Sequence, residues 1–568
     1  MLQTYSRLFS FLGLSLAAPL ATAGTLFVDA DLATGANDGS TWSDAFQGSG
    51  GLQLALTASV AGDQIFVAEG TYLPAVSGRG VSFNFRTGVE LYGSFLGTEA
   101  APGERPPFGT APSVLQGDLL GDDGSGMMLE NSYHLLRGGG VDQSAVLDGF
   151  TVTGGNANGT GNNDSGGGIL CVNGASPTVR NCHFISNRCT FGGGAGYINN
   201  GSMPTFTDCI FEDNAGGSFG GAFDMAGAGA LRFDRCVFID NRAQRAGALE
   251  IFSSTGIEVT NCTFQRNTAT GGSGGGALWI GQGSNARVIN CSIVDNDATA
   301  HASGGIRVQS AAPVIRNSIL WNNRGPGGEQ NSINQVSAGA DVAYCIVNGG
   351  FSGAGNLGTD PQFADTLMGD LRVTLASPAI DAGDNGEVLA GVTLDLAQSA
   401  RFADEPDVGD TGLGGAPVVD MGAYESALVV TASYCQVSPN SAGAGAMISS
   451  TGSTSISGNG FSLVATGVVP GVFGVFFYGS AQIQAPFGDG LRCVGSGGTG
   501  THRLFPLVQA DGSGVATRAL DFTTSPLNSG SGAITPGSTW QFQLWFRDNA
   551  AGASGFNTSD GLSATFAP

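Results

Sequence analysis

Five side chains recur at nearly constant spacing in the middle of the chain, and their chemistry suits a sugar polymer. They stand 26 to 29 residues apart, and in chain order they are Tyr197, Asp224, Glu250, Trp279 and Arg307. Aromatic rings stack on the apolar faces of sugars, whereas arginine and carboxylate groups hydrogen-bond to hydroxyls. Asp224 and Glu250 also belong to the residue types that glycoside hydrolysis uses as a pair. If these positions face the same way, they form one exposed column.

Three interpretations of this column stay open on the sequence alone: an ordinary solvated face, a glycan-binding groove, or a catalytic pair. On neighbouring strands of one sheet, Asp224 and Glu250 would lie about 4.8 Å apart along the backbone. Repulsion between two adjacent carboxylates raises the pKa of one of them, which is how a general acid is prepared. The choice depends on the elements that carry the column.

A repeated phrase defines those elements. Asn-Cys-x-Phe-x-x-Asn and its variants recur every 26 to 29 residues, and a second phrase, Gly-Gly-Ala followed by an apolar residue, lies between the copies. A unit of about 27 residues with short β runs, glycine-rich corners and no amphipathic helix is one coil of a parallel β-solenoid. Alternation after each Gly-Gly-Ala points every second residue inward, so the column points outward.

The solenoid predicts an interior in which identical residues stack. Coils repeat every ~4.8 Å, so the cysteines lie one above another with parallel side chains, which favours packed thiols over disulfides. The polar residue before each cysteine is expected to adopt the left-handed conformation at a corner and to bond to neighbouring coils. The members of this predicted ladder are Cys182, Cys209, Cys236, Cys262, Cys291, Cys345, Asn181, Asn261, Asn290 and Asn317.

The Gly-Gly-Ala and Phe-x-x-Asn phrases resemble the repeats of polymorphic outer-membrane proteins and, more widely, of the right-handed parallel β-helix, pectin-lyase-like superfamily. The resemblance covers residues 25 to 425, and it implies a right-handed parallel β-helix of about 12 coils. The segments Phe27–Asp31 and Thr41–Phe46 resemble the start of secreted bacterial β-helix proteins. In those proteins a short helix, here around Leu52–Val60, caps the open end of the solenoid.

The resemblance weighs against an enzyme. Polygalacturonase-like members carry Gly-His-Gly and Arg-x-Lys motifs, and this chain has no Gly-His-Gly and no lysine. Pectate lyases bind polyuronate through Ca²⁺, whereas a chain of net charge −24 repels a polyanion unless a cation bridges the two. Two acidic loops either hold Ca²⁺ or are simply solvated. Their carboxylates are Asp118, Asp122, Asp123, Asp404, Asp407 and Asp410.

The repeat phrases stop near Thr431, where short alternating runs between Gly-, Ser- and Asn-rich turns predict a C-terminal β-sandwich. This part resembles a C-terminal module of large secreted bacterial proteins through Tyr434–Cys435, Arg492–Val494 and Phe546–Asp548. Cys435 and Cys493 both lie in it and are the cysteines that could form a disulfide.

The N-terminus indicates secretion. Arg7 precedes the apolar run Leu8–Leu20, and Ala21–Ala23 has the small-x-small pattern that signal peptidase cleaves after. No later run is long and apolar enough to span a membrane. The predicted organisation is a signal peptide at 1–23, a right-handed parallel β-helix with an N-terminal cap helix at 24–430, and a C-terminal β-sandwich at 431–568.

These observations predict a secreted or cell-surface bacterial protein that is monomeric and non-enzymatic. It would bind carbohydrate or another surface component along the solenoid face, as an adhesin does, and it would require no cofactor, with Ca²⁺ as the one candidate. The charge of −24 argues against nucleic acid, and the lack of lysine excludes Schiff-base chemistry and a P-loop. Two alternatives remain: a polysaccharide lyase or glycoside hydrolase acting through Asp224 and Glu250, and a purely structural display spacer.

Overall fold

The computed structural model describes most of the chain from residue 24 onwards. It covers residues 24–566 except 75–77, 127, 301–302, 329–334, 375, 406–407, 427–430, 452–453, 455, 457–458 and 536–537. The predicted signal peptide at 1–23 and the acidic-loop residue Asp407 lie outside the described residues. No helix among the described residues is long and apolar enough to cross a membrane.

The chain divides into two compact units. The first runs to Phe402 and includes Thr411–Glu425, and the second consists of Ala403–Asp410 and the chain from Ser426 onwards. Three long parallel sheets, here called A, B and C, build the first unit, and most coils add one strand to each. The parallel strands and their short connections form a β-helix, and the side chains on the inner faces make one continuous apolar core.

Within each sheet the strands follow one another in the order of the coils, except that the first two strands of sheet A are in reverse order. Sheet A consists of Phe46–Gln47, Thr25–Asp29, Gln64–Ala68, Glu90–Phe95, Val146–Asp148, Thr178–Arg180, Thr205–Thr207, Arg232–Asp234, Thr255–Thr260, Asn285–Ile289, Val314–Arg316 and Asp341–Ala343. Sheet B consists of Gly70–Tyr72, Ser113–Gln116, Phe150–Thr153, His183–Ile185, Ile210–Glu212, Val237–Ile239, Thr263–Gln265, Ser292–Val294, Ile319–Trp321 and Ile346–Val347. Sheet C consists of Phe83–Asn84, Leu136–Gly139, Ile169–Val172, Gly196–Asn199, Phe223–Ala226, Leu249–Phe252, Leu278–Gly281 and Ile306–Gln309.

Shorter elements complete the first unit. Two smaller parallel sheets are also present. One pairs Asn156–Ala157 with Arg188–Cys189, and the other consists of Arg242–Ala243, Thr268–Ala269 and Asp297–Ala298. The antiparallel pair Phe363–Asp365 and Asp370–Val373 follows the last coil. Single 3₁₀ turns occur at Trp42–Asp44, Pro102–Glu104, Asp123–Ser125, Gly161–Asn163, Pro326–Gly328 and Asn385–Glu387.

One α-helix, Gly51–Ala58, lies at the N-terminal end of the first unit, close to the predicted cap helix around Leu52–Val60. It buries Leu52, Ala55 and Leu56 against the core. The helix ends at Ala58 because Ser59 is already extended, with φ −65° and ψ 149°.

Left-handed residues turn the chain between sheets A and B. The residue before each ladder cysteine, and before Ser318, has φ between 48° and 54°, the region that asparagine tolerates best. Arg235 and Tyr344 occupy this corner as well, at φ 50° and 53°. The stacking of the coils therefore imposes the conformation even on residues that do not favour it.

The ladder of stacked amides lies in a different column from the one predicted. It is formed by the asparagine that ends each phrase, where the Nδ2 donates to the Oδ1 of the asparagine in the next coil at 2.9–3.1 Å. The last of them, Asn323, donates to the Oε1 of Gln335 at 2.8 Å. Each Nδ2 also donates to a backbone carbonyl of the preceding coil, for example that of Phe211 at 2.8 Å for Asn241. We call this the asparagine ladder, and its members are Asn187, Asn214, Asn241, Asn267, Asn296 and Asn323, all fully buried.

The predicted ladder asparagines do not bond to one another. Asn181 and Asn261 bond to the preceding coil, as predicted, by donating to Asp148 at 3.0 Å and to Asp234 at 3.1 Å. Three of the four also donate to carbonyls of the segment that follows the last coil and folds back along it: Asn261 to Leu394, Asn290 to Asp420 and Asn317 to Asp384.

The cysteines of the first unit are free thiols inside the solenoid. Each Sγ of the six predicted ladder cysteines lies 3.5–3.9 Å from a backbone carbonyl of the preceding coil. All six are buried, as are Cys171 and Cys189. Burial raises the pKa of Cys345 to about 12, so this thiol is not reactive at neutral pH.

The second unit is antiparallel and has its own apolar core. Its largest sheet consists of Thr431–Tyr434, Gly561–Thr565, Thr539–Arg547, Phe473–Gly479 and Thr501–Gln509, with Phe556–Thr558 paired to Thr539–Arg547. A second sheet consists of Met447–Thr451, Ser462–Thr466 and Ala516–Ala519, and a hairpin consists of Ala481–Phe487 and Gly490–Gly495. A 3₁₀ turn lies at Gly530–Gly532. A disulfide joins Cys435 to Cys493 on this hairpin.

Replacing one ladder amide is expected to destabilise the solenoid strongly. Asn241→Leu keeps the side-chain shape but leaves the backbone N–H and one Nδ2 hydrogen of Asn214 without their acceptor inside the core. It also removes one of the two donors to the Oδ1 of Asn267, since only the backbone N–H of residue 241 remains. Each orphaned buried group costs about 1–3 kcal/mol. Calorimetry should show a clear fall in Tm, whereas the control Asn84→Leu at an exposed position should shift stability by no more than about 0.5 kcal/mol. An equal effect of the two variants would contradict a stabilising asparagine ladder.

Candidate functional site

The five predicted column residues occupy facing positions on successive strands of sheet C. Tyr197 pairs in register with Asp224, Asp224 with Glu250, Glu250 with Trp279, and Trp279 with Arg307. All five alternate with inward-facing apolar residues. The structure therefore brings together the residues that the repeat spacing selected.

The prediction that this column is exposed is wrong for its three central members. Asp224 is 3 %, Glu250 1 % and Trp279 2 % exposed, and only Tyr197 and Arg307 remain partly accessible. The cover is the glycine-rich backbone that precedes each strand of sheet C. A side chain on Gly192 would collide with the Asp224 carboxyl group, so the absence of side chains lets this backbone lie directly on the column.

An arginine that the sequence analysis did not select completes the cluster. The Arg245 guanidinium lies between two aromatic rings, 4.3 Å from the centroid of Phe219 and 4.2 Å from that of Trp279. It also forms an ion pair with Glu250. Phe191 packs edge-on against Phe219 at 4.7 Å. We call Asp224, Glu250, Arg245, Phe219 and Trp279 the buried column.

A sequence signal for the missed residues exists. Phe191, Phe219 and Arg245 each stand directly before a glycine phrase, at spacings of 28 and 26 residues, and so form a second column beside the first. Their periodicity equals that of the coil. Because phenylalanine and arginine differ in character, a search for one repeated residue type does not find them.

The buried column holds fewer positive than negative groups. Burial, together with the neighbouring Glu250 carboxyl, raises the pKa of Asp224 well above its usual range, although Arg245 opposes the shift. Burial also raises the pKa of Glu250, against the hydrogen bond and charge of Arg245. Glu250 Oε2 and Trp279 Nε1 have no hydrogen-bond partner among the described residues. Arg245 thus balances one carboxylate, and the second is stabilised by keeping its proton.

The first acidic loop gathers more carboxylates than predicted. Asp118, Asp122, Asp123 and Glu130 each place one oxygen within 4.8 Å of the others, and Glu130 is the member that the sequence analysis missed. Asp118 accepts four backbone N–H groups of the loop, which lower its pKa against the effect of burial. Burial and the charges of Asp118 and Asp122 raise the pKa of Asp123. Oxygen-rich, crowded acidic groups of this kind are able to hold Ca²⁺.

The second acidic loop is open to solvent. Asp404 and Asp410 are both exposed, and Asp407 lies outside the described residues. These two aspartates belong to the second unit. Their exposure alone gives no reason to place a cation there.

A cleft in the second unit is a further candidate site. Its floor is formed by Val475, Phe477 and Trp545 on two neighbouring strands, where Val475 faces Trp545 in register. The hairpin contributes Phe487 and Arg492 to one wall. The cavity is about 430 Å³, within the range of about 300–1,000 Å³ typical of ligand pockets. We call it the aromatic cleft.

The opposite wall of the aromatic cleft is one strand, Thr501–Gln509. Its alternate residues Thr501, Arg503, Phe505 and Leu507 face the cleft, whereas Leu504 faces the core. Phe505 is 61 % and Leu507 50 % exposed, and both lie where the pairing with Phe473–Gly479 shifts register. The sequence analysis identified neighbouring strands but not the cleft, because its residues come from separate strands and follow no repeat.

Comparison with known proteins supports the fold of the first unit. Residues 119–271 and 221–360 match the family model for the right-handed β-helix region. The predicted right-handed parallel β-helix is thereby confirmed, and an antiparallel β region follows it.

Among solved structures, the crystal structure of pectate lyase Pel9A is similar, with a TM-score of 0.40 and 14 % sequence identity over 72 % of this chain and 97 % of that chain. At this identity the likeness concerns the fold alone. The comparison with curated proteins gives no match.

Asp224→Asn is expected to stabilise the protein increasingly as the pH rises. The pKa of Asp224 is higher in the folded protein than its unfolded value of 3.8. The free energy of unfolding therefore falls as the pH rises between these two values, by about 1.4 kcal/mol per pH unit. The amide resembles the protonated acid and does not titrate. The Tm of the variant should match the wild type near pH 4 and exceed it at neutral pH. The control Asp31→Asn, at an exposed position, should show no such trend, and a pH-independent difference for Asp224→Asn would contradict the assignment.

Ca²⁺ is expected to raise the Tm by a few degrees through the first acidic loop. A ligand that binds only the folded state stabilises it by about 2.7 kcal/mol at a concentration of 100 Kd. Asp123→Asn should abolish the increase, whereas Asp31→Asn, at an exposed position outside both acidic loops, should leave it intact. Calorimetry at constant ionic strength measures the effect. An equal response of both variants, or no response of the wild type, would show that the loop is simply solvated.

Proposed function

We propose that the protein is a secreted, non-enzymatic β-helix protein that binds carbohydrate, and that the aromatic cleft is where it binds. The observation that carries this proposal is the set of aromatic side chains around one cavity of ligand size, with Phe505 strongly exposed. Aromatic faces stack on the C–H faces of sugar rings.

The packing of the rings supports a preformed platform. Trp545 contacts Phe556 at a centroid distance of 5.5 Å, and Phe556 contacts Phe487 at 5.1 Å. The disulfide between Cys435 and Cys493 fixes the hairpin that carries Phe487 and Arg492. A platform held in this way loses little conformational entropy on binding, which favours affinity.

The buried column supports the absence of catalysis. A glycosidase needs its acid and its base or nucleophile within reach of the scissile oxygen and the anomeric carbon. Asp224 and Glu250 are covered by the glycine-rich backbone, and Glu250 is neutralised by Arg245. We therefore assign their elevated pKa values to burial within a structural cluster and do not propose a hydrolase or lyase.

The proposal also assigns a role to the solenoid. Its coils are linked by the asparagine ladder and by sheets of up to twelve strands, so it forms a rigid body. We propose that it serves as the scaffold on which the binding unit is displayed outside the cell. The predicted glycan groove along the solenoid face is wrong, because the central members of the column are buried.

Retention on polysaccharides tests the proposal. Residues 24–568 are passed over a panel of immobilised α- and β-linked polysaccharides, and both retention and the release of reducing ends or unsaturated products are measured. We expect retention on at least one polymer without any products. Product formation would establish an enzyme, and the lack of retention on every polymer would contradict carbohydrate binding.

A matched pair of variants locates the site. Phe505→Leu removes a ring from the aromatic cleft, and Phe473→Leu removes one that is 53 % exposed on the neighbouring strand but does not line the cleft. Loss of one stacked ring is expected to weaken binding about tenfold, which corresponds to about 1.4 kcal/mol. Phe473→Leu should bind as the wild type does. Equal binding by the two variants would place the site elsewhere.

A further inference from the structure

The part of the second unit that follows residue 425 differs from the rest of the chain in charge. The sequence from 426 to 568 contains four arginines and five aspartates and no glutamate, so it carries a net charge of −1 out of the total of −24, whereas Ala403–Asp410 of the same unit holds four carboxylates and no arginine. Almost all of the negative charge therefore belongs to the preceding part of the chain. An anionic partner that the rest of the protein repels meets a nearly neutral surface here.

Two of these four arginines line the aromatic cleft, and no aspartate or glutamate is among its lining residues. Arg503 stands opposite Phe477 in register and is exposed. Its guanidinium group makes no hydrogen bond or ion pair with any described residue. Arg492 uses only its Nε, which donates to the carbonyl of Val494 at 2.8 Å. Both guanidinium ends thus keep donors available to a ligand.

Among the described residues, the arginines that form ion pairs all lie in the first unit, although some arginines of that unit, such as Arg137 and Arg242, form none. Arginines of the solenoid commonly form ion pairs, as Arg235 does with Asp208 at 2.8 Å. Among the described residues from 426 to 566 no ion pair is formed, although Asp489 lies on the same hairpin as Arg492. An arginine without a carboxylate partner beside an aromatic floor is suited to receive an anion from outside the chain.

We propose that the aromatic cleft selects anionic glycans, polymers that carry a carboxylate or sulfate group on their sugars. This inference rests on the proposed function and specifies its substrate class. A sugar ring stacks on the aromatic floor, while the guanidinium groups of Arg503 and Arg492 donate to the anionic substituent. A neutral glycan gains only the stacking.

Polymers with the same backbone and different charge provide the test. Residues 24–568 are compared on dextran, carboxymethyl-dextran and dextran sulfate of equal length, and on hydroxyethyl-cellulose and carboxymethyl-cellulose. We expect at least tenfold stronger retention on a charged polymer than on its neutral counterpart, in spite of the net charge of −24. Raising the salt concentration should reduce this preference.

Arginine variants assign the preference to the cleft. Arg503→Gln and the double variant with Arg492→Gln should lose it, whereas Arg547→Gln removes the same charge from an exposed position that does not line the cleft and should keep it. Circular dichroism verifies that all variants are folded.

The outcomes separate this inference from the proposed function. Equal retention on charged and neutral polymers would leave carbohydrate binding intact and overturn the selection of anions. No retention on any of these polymers would overturn the inference, and no retention on any polymer of the larger panel would overturn the proposed function as well.

A charge preference that survives in the double variant, or that Arg547→Gln abolishes, would show that the cleft arginines are not responsible. A dimer that Phe505→Leu dissociates would show that the cleft is instead occupied by a second copy of the chain.

Discussion

The structure of the first unit depends on one constraint: a buried amide must find its partner in the next coil. Asn241 receives hydrogen bonds from the coil before it and donates to the coil after it, with its side chain fully buried. A shift of register by a single residue would leave these groups unpaired in an apolar core. The asparagine ladder therefore fixes the register of the neighbouring strands, and with it the stacked phenylalanines and thiols and the facing positions on sheet C.

The same register explains why the central residues of the column, whose types are suited to bind a sugar, are not accessible. It aligns Asp224 with Glu250 and Trp279, and it also aligns the glycine phrases that pass directly over them. Arg245 is then enclosed between two rings and beside a carboxylate. The result is a cluster whose two carboxyl groups are as buried as the core, and in which burial and charge repulsion raise the pKa of Asp224. Packing accounts for the raised pKa values of both carboxyl groups.

Sequence periodicity was sufficient to predict the solenoid, the free stacked thiols and the in-register column, because each coil repeats the same short phrase. It could not predict burial on the outer face. Alternation states which side of a strand a residue occupies, but not which backbone covers that side, as Asp224 and Gly192 illustrate. Nor could it distinguish the two asparagine columns, since Asn181 and Asn187 have equal polarity and differ only in where the corner directs them. The aromatic cleft combines Phe477, Arg492 and Trp545 from separate strands, and no spacing relates them.

We propose that the solenoid is the scaffold and that the second unit binds the glycan. A crystal structure of residues 24–568 with an oligosaccharide of carboxymethyl-dextran is the decisive experiment. We expect a sugar ring on the floor formed by Phe477 and Trp545, with its carboxylate at the guanidinium groups of Arg503 and Arg492. A sugar bound on sheet C beside Asp224 and Glu250, with the glycine-rich cover displaced, would contradict it.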